Sequence, residues 1–197
     1  MAIVPARKKL PAREKLLKAA GELFYDHGIT ATGIDAVIAR AGVAKMSLYN
    51  NFKSKSELVA AYIDARHQEW LDLYAKRSAD LSNGWERVLA VFDAYQDHAE
   101  FDYENGFRGC GLLNAAAEMP ANSAERAAVN RHKQEVKAIV KRELSELPII
   151  EPGRIEQLTE HVCFLLEGSI SLAGLAADTQ AIERARTMAD QLIEQSL

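Results

Sequence analysis

Between residues 41 and 59 the chain reads AGVAKMSLYNNFKSKSELV. Lysine, tyrosine, serine and two adjacent asparagines crowd its residues 45–55, a length of about three helical turns. Lysine neutralises phosphate and releases its counterions. Hydroxyls donate to phosphate oxygens, and a helix N-terminus favours an anion. Asparagine bonds bidentately to adenine in the major groove, worth about 1–3 kcal/mol of discrimination. These types together suit a double-stranded DNA partner. The hydroxyls of Thr32, Ser47 and Tyr49, with Lys55, are the candidate phosphate contacts. Lys45, Met46 and Asn50 are the candidate base contacts.

A second set lies in GFRGCGLLNAAAEMP, residues 106–120. Cys110, Asn114 and Glu118 recur at every fourth position, on one helical face with Leu113 and Ala117. A polar thread on an apolar helix needs partners if buried. It either faces a ligand or forms a satisfied network that positions helices. Trp70, Tyr74, Phe92, Tyr95, Phe101, Tyr103, Phe107 and Phe164 are aromatics in reach of such a chamber. An aromatic-lined cavity with few polar groups suits a flat or acyl molecule, although interiors recruit such residues anyway. The candidate ligand set is Trp70, Tyr74, Phe107, Arg108, Cys110, Leu113, Asn114, Glu118 and Phe164. Cys110, close to Arg108, is alternatively a redox or electrophile sensor; the plainer reading is a small packed hydrophobe. Cys163, between Val162 and Phe164, reads as core.

Catalysis finds no support. His27, His67, His98, His132 and His161 are scattered, with no paired-histidine motif, nucleophile elbow or phosphate loop. No metal and no cofactor is called for, and an enzyme on an all-α scaffold stands only as the alternative of another class.

The positioning elements are helical throughout. Prolines stand at 5, 11, 120, 148 and 152, none interrupts 12–119, and the apolar spacing follows three-four periodicity. About nine helices and no sheet are expected. Leu16, Leu17, Ala20, Leu23 and Phe24 form one face of the first. Thr32 with Asp35, Ser54 with Glu57, Asn83 with Glu86 and Asn122 with Glu125 read as capping boxes. Pro152 opens a further helix, and Asp178 caps the last. Residues 32–52 then form helix, tight turn at Gly42, helix, over a core of Val37, Ile38, Val43, Leu48 and Phe52. Charge divides along the chain. Residues 1–60 hold 10 Lys/Arg against 5 Asp/Glu, and residues 61–197 hold 14 against 23, for a net charge of −4. A basic front on an acidic body fits a polyanion met by one end only. No apolar run approaches the ~20 residues of a membrane span. The N-terminal order, apolar then basic, is not that of a secretory leader, so a cytoplasmic protein without a membrane partner is expected. Leu158, Val162, Leu165, Ser169 and Leu172, with Ile182, Ala185, Ala189 and Leu192, make two apolar stripes for either internal core or a partner.

Residues 12–58 resemble the DNA-binding domain of the TetR family of transcriptional regulators. Gly42, Val43, Lys45, Leu48, Tyr49, Phe52, Ser54, Lys55 and Glu57 match the family's run. Ala44 replaces the usual serine, removing an N-cap worth about 0.5–2 kcal/mol. Asn50 and Asn51 replace the usual histidine or aromatic, so the operator sequence cannot be carried over. The Arg108-Gly109-Cys110 element followed by Asn114 and Glu118 resembles one branch of the family. The resemblance implies a flexible basic arm at 1–10, a helix-turn-helix domain at 11–58, and a helical ligand-binding and dimerisation domain at 59–197. It also implies a homodimer through the two stripes, a palindromic operator, and a small-molecule effector that releases a repressor.

Overall fold

The computed structural model describes residues 10–149 and 151–197; of the arm expected at 1–10, all but Leu10 lies outside the described residues. These residues form nine α-helices and no strand. They are α1 (Ala12–His27), α2 (Ile34–Ala41), α3 (Lys45–Asn51), α4 (Lys55–Ser78), α5 (Gly84–Ala99), α6 (Gly111–Ala117), α7 (Ala124–Leu144), α8 (Arg154–Ala176) and α9 (Gln180–Glu194). Two compact units divide the chain, Met1–Tyr62 and Ile63–Leu197, so α4 runs through the division. Among the described residues no helix is long and apolar enough to cross a membrane.

In the first unit, Pro11 precedes the first turn of α1, where a missing N–H is harmless. Its Leu16, Ala19, Ala20, Leu23 and Phe24 are buried. Val37, Leu48 and Leu58 complete the core from the next three helices, with Phe52 just past α3, while Ile38 and Val43 are only half-buried. Phe24 meets Tyr62 edge-on at 5.5 Å, and Arg13 lies over the Phe52 ring. Gly42 ends α2 in the left-handed conformation, φ 61° and ψ 42°, and lets Val43 N–H reach Ile38 O.

Most of the expected helix starts hold, with small corrections. Asn83 caps α5 by accepting from Glu86 N–H, and Ser54 caps α4 by accepting from Glu57 N–H. Ser123, one residue past Asn122, caps α7. At α8 the preceding residue is Gly153 rather than Pro152. Asp178 accepts from Gln180 N–H at the start of α9. The Thr32 box does not form: Gly33 precedes α2 without a side-chain cap.

In the second unit, α5 is central. Val88, Ala90, Val91, Phe92 and Ala94 are wholly buried and join residues of α4, α7, α8 and α9 in one core. Leu158, Val162, Ser169, Ile182, Ala185 and Ala189 are buried there too, so most of the two stripes face this chain's own interior. Three-four spacing marks an apolar face without saying which body covers it. Leu172 is exposed, and Leu165 and Leu192 are half-buried. Phe164, assigned to the chamber, is 70% exposed on α8 and joins Leu172 and Met188 along an open groove between α8 and α9.

Candidate DNA-contact surface and ligand cavity

α3 is anchored by Leu48, 1% exposed, and turns its remaining residues outward. Met46 is 68% exposed and Tyr49 50%. Lys45 and Asn50 are exposed, and Ser47 is half-buried. Asn51 is occupied: its Nδ2 donates to Ser47 O at 2.7 Å. Asn50 is therefore the asparagine available for groove contact. Ala44 precedes α3 without a side-chain cap, and the helix begins on Ser47 N–H to Ala44 O. Lys55 is half-buried in the first turn of α4.

Thr32 differs from its expected role. Its residue is 4% exposed, and Oγ1 donates toward Gly28 O at 2.7 Å and Leu23 O at 3.2 Å. That hydroxyl ties the α1–α2 loop to α1, its proton directed to backbone carbonyls. Asp35 is the residue sequence reasoning missed. Its carboxylate accepts from Lys45 Nζ at 3.1 Å, pairing the first turns of α2 and α3. The hydrogen bond and charge of Asp35 raise the Lys45 pKa, with Tyr49 adding to the effect.

The second unit holds a cavity lined by Arg66, Trp70, Tyr95, His98, Phe107, Gly109, Cys110, Gly111, Leu112, His132 and Ile170. Of the expected ligand set, Trp70, Phe107 and Cys110 line it. Tyr74 instead stacks on Trp70 at 5.7 Å, one layer back. Asn114 Nδ2 donates to Arg108 O at 3.0 Å, so it fastens the loop before α6. Arg108 and Glu118 lie exposed, and Leu113 is half-buried outside the lining. The polar thread fails because its helix begins only at Gly111 and ends at Ala117, leaving Cys110 and Glu118 as its flanking residues.

The cavity is small. It spans about 20 Å³, room for roughly one water. Its loop is held by close backbone packing. A Cβ on Gly174 of α8 would stand 2.4 Å from Gly109 N, while Gly109 itself has φ +83°. Both positions therefore require glycine.

Charge in the cavity is arranged by pairing. Arg66 bonds His98 Nε2, Tyr103 and Glu69. Burial, then Arg66, lowers the His98 pKa to about 3. Burial, then Lys133 and His67, lowers His132 to about 3. Both imidazoles are therefore uncharged at neutral pH, consistent with the 2.8 Å Nδ1 contact between His67 and His132. Lys133, behind the lining, bonds Glu167, Tyr95 Oη at 3.2 Å and Cys110 Sγ at 3.6 Å. Burial acts to lower its pKa, but Cys110, Tyr95 and Glu167 together hold it well above the usual value. Among the described residues no cluster of His, Cys, Asp and Glu could hold a metal.

The family model for bacterial regulatory proteins of the tetR family matches residues 16–62, and that for the tetracyclin repressor-like C-terminal domain matches residues 84–189. The chain belongs to the TetR family. It is a transcriptional regulator with a helix-turn-helix DNA-binding domain. The Transposon Tn10 TetC protein of Escherichia coli is 32% identical over 85 residues, 43% of each chain. The transcriptional activator FasR of Mycolicibacterium smegmatis is 34% identical over 96 residues, 49% of this chain and 43% of that one. The matched part thus spans less than half the length of these curated relatives. A TetR-family regulator from Streptomyces coelicolor superposes with a TM-score of 0.83 at 27% identity, covering 94% of this chain and 96% of that one.

Proposed function

We propose that this TetR-family chain is a cytoplasmic, homodimeric repressor that small-molecule binding releases from a palindromic operator. The observation that carries the DNA half is the outward face of α3, where Lys45, Met46, Tyr49 and Asn50 surround a helix anchored by Leu48. Asn50 reads an adenine edge, Lys45 and Met46 reach neighbouring bases, and Ser47, Tyr49 and Lys55 hold phosphates. Thr32 shapes the preceding loop instead.

The groove between α8 and α9, about 760 Å³ and lined by Phe164, Leu172 and Met188 among others, supports self-association. A second copy applied there by a twofold axis gives each dimer two α3 helices. Half-sites then lie about 34–36 Å apart, or a multiple of that.

The effector site is the cavity of the second unit. Because it holds only about one water, an effector binds a widened arrangement and shifts the population toward it. α4 supports the coupling: Lys55 stands in its first turn, and Arg66 and Trp70 reach the cavity from the same helix. An element that both ligands bias links their affinities reciprocally.

Selection of bound fragments from the source genome, followed by mobility shift, tests this reading. The expected result is an enriched inverted repeat bound more tightly than random duplex of equal length. Asn50→Ala is expected to relax preference at one base per half-site, by about 1–3 kcal/mol. Recovery of no enriched sequence in modest salt contradicts the proposal.

A further inference from the structure

We infer that the effector of the second unit's cavity is a small uncharged phenol, whose single hydroxyl bridges Trp70 and His132. The regulatory half rests on the function proposed above; the binding half stands on the cavity itself. Trp70 is 1% exposed, lines the cavity, and its Nε1–H has no acceptor among the described residues. Buried donors are ordinarily satisfied, and a bare one is costlier than a made bond is favourable. The site therefore calls for an acceptor.

His132 supplies the complementary half. It is 3% exposed, lines the same cavity and meets Trp70 edge to face, with 5.6 Å between ring centroids. Its tautomer is set from outside the cavity. The Glu135 carboxylate lies 3.2 Å from His67 Nε2, so that nitrogen carries hydrogen and donates. With one proton on each ring, His67 Nδ1 then holds a lone pair. It accepts from His132 Nδ1–H across 2.8 Å. His132 Nε2 is left as an acceptor. A donor and an acceptor thus stand on neighbouring buried rings. One hydroxyl serves both: its oxygen accepts from Trp70 Nε1–H and its proton goes to His132 Nε2.

The rest of the ligand follows from the lining. The rings of Trp70, Tyr95 and Phe107 suit a flat aromatic body. Charge is disfavoured because the charges around the cavity are already matched. Arg66 is committed to Glu69, His98 and Tyr103, and Lys133 to Glu167. A carboxylate entering there loses its water without gaining a free cation. Room comes from Phe107, which is half-buried on the loop before α6, its ring 6.1 Å from that of Tyr103 on the same loop.

The test titrates the isotope-labelled full chain with phenol, anisole, toluene and benzoate in mildly alkaline buffer. Proton–nitrogen NMR correlation follows the two indole N–H signals. Trp85 is the internal reference, since its Nε1 already donates to Asp190 at 2.7 Å, and Trp85→Phe assigns the pair. Phenol is expected to shift the Trp70 signal saturably and to leave Trp85 in place. Anisole, which lacks the donor, and toluene, which lacks donor and acceptor, are expected to bind about tenfold more weakly or worse, and benzoate not measurably. By calorimetry, Trp70→Phe is expected to weaken phenol about tenfold and to leave toluene unchanged. If that variant folds poorly, His132→Phe keeps the donor, removes the acceptor, and is expected to bind phenol and anisole alike. A Trp70 signal that phenol does not move leaves the two rings to a buried water and overturns the inference, as does anisole binding as tightly as phenol. Phenol is further expected to lower affinity for the selected duplex. Phenol that occupies the cavity without doing so overturns the effector half alone. A chain that binds no duplex defeats the proposed function separately, and the indole signals still decide the binding half.

Discussion

Lys45 stands on the proposed DNA-contact face already paired. Asp35, its side chain 83% exposed, holds it and places a negative charge where phosphates would approach. Asp35→Asn is therefore expected to tighten binding to random duplex by a few-fold, about two to five at low salt, because repulsion and a competing ion pair are both removed. Fluorescence anisotropy on a random duplex checks it; unchanged affinity speaks against the assignment of Lys45 to the interface. Lys55→Ala is expected to weaken binding to all duplexes alike and to make the log–log salt slope shallower by about 0.9 for each phosphate left without its cation. A slope equal to the parent's removes Lys55 from the phosphate-binding set. At this scale the sequence is informative where a role follows from side-chain type and helical face. Lys45, Tyr49 and Asn50 can be placed outward because Leu48 and Phe52 fix the inner face. Thr32 cannot, because its acceptors are carbonyls of Gly28 and Leu23, one of them nine residues back and brought near only by the folded loop. Asp35 reads as a helix-start signal, and nothing in local spacing marks its bond to a residue ten positions on.

Helices themselves are legible, since their periodicity, capping residues and Gly42 are local properties. Their partners are not. The apolar stripes of α8 and α9 are visible in the sequence, yet Leu158, Val162, Ile182 and Ala189 face inward while Phe164 faces out. The loop before α6 shows in the sequence as a crowd of glycines without its reason, which is the approach of Gly174 to the Gly109 backbone. Gly174→Ala is expected to destabilise the fold by about 1–3 kcal/mol, since neither backbone can yield as a flexible side chain would. Gly21→Ala, inside α1 with only ordinary contact to the Tyr62 ring at 3.9 Å, is the control and is expected to be neutral or slightly stabilising. Thermal unfolding of the two variants decides; equal melting temperatures would refute the close-packing account of the loop.

At the scale of the whole molecule, charge division and helical periodicity reveal a basic end and an acidic helical body, but not the cavity. Arg66, His98 and His132, which line it, come from α4, α5 and α7 and share no sequence pattern. Their titration has a global consequence. His132 is lowered from 6.5 to about 3 in the fold, so between those values the unfolded chain binds a proton that the native state refuses. Its neutral form thus costs nothing above pH 6.5, and stability falls as pH drops below it, by on the order of 2 kcal/mol at pH 5. His98 acts in the same direction. Melting temperatures between pH 7 and 5 are expected to fall less steeply in His132→Phe than in the parent; parallel curves would contradict the assignment. For the proposed dimer, Leu172→Glu on the exposed strip of α8 is expected to yield monomers in sedimentation velocity, and a dimer that survives it must use another face. The central claim is that the outward face of α3 chooses the DNA. Anisotropy titration of a genome-selected duplex with the parent and with a Lys45→Ala, Asn50→Ala double variant tests it directly. The parent is predicted to prefer the selected duplex over random sequence, and the double variant to bind both alike. A double variant that keeps the parent's preference would contradict the account.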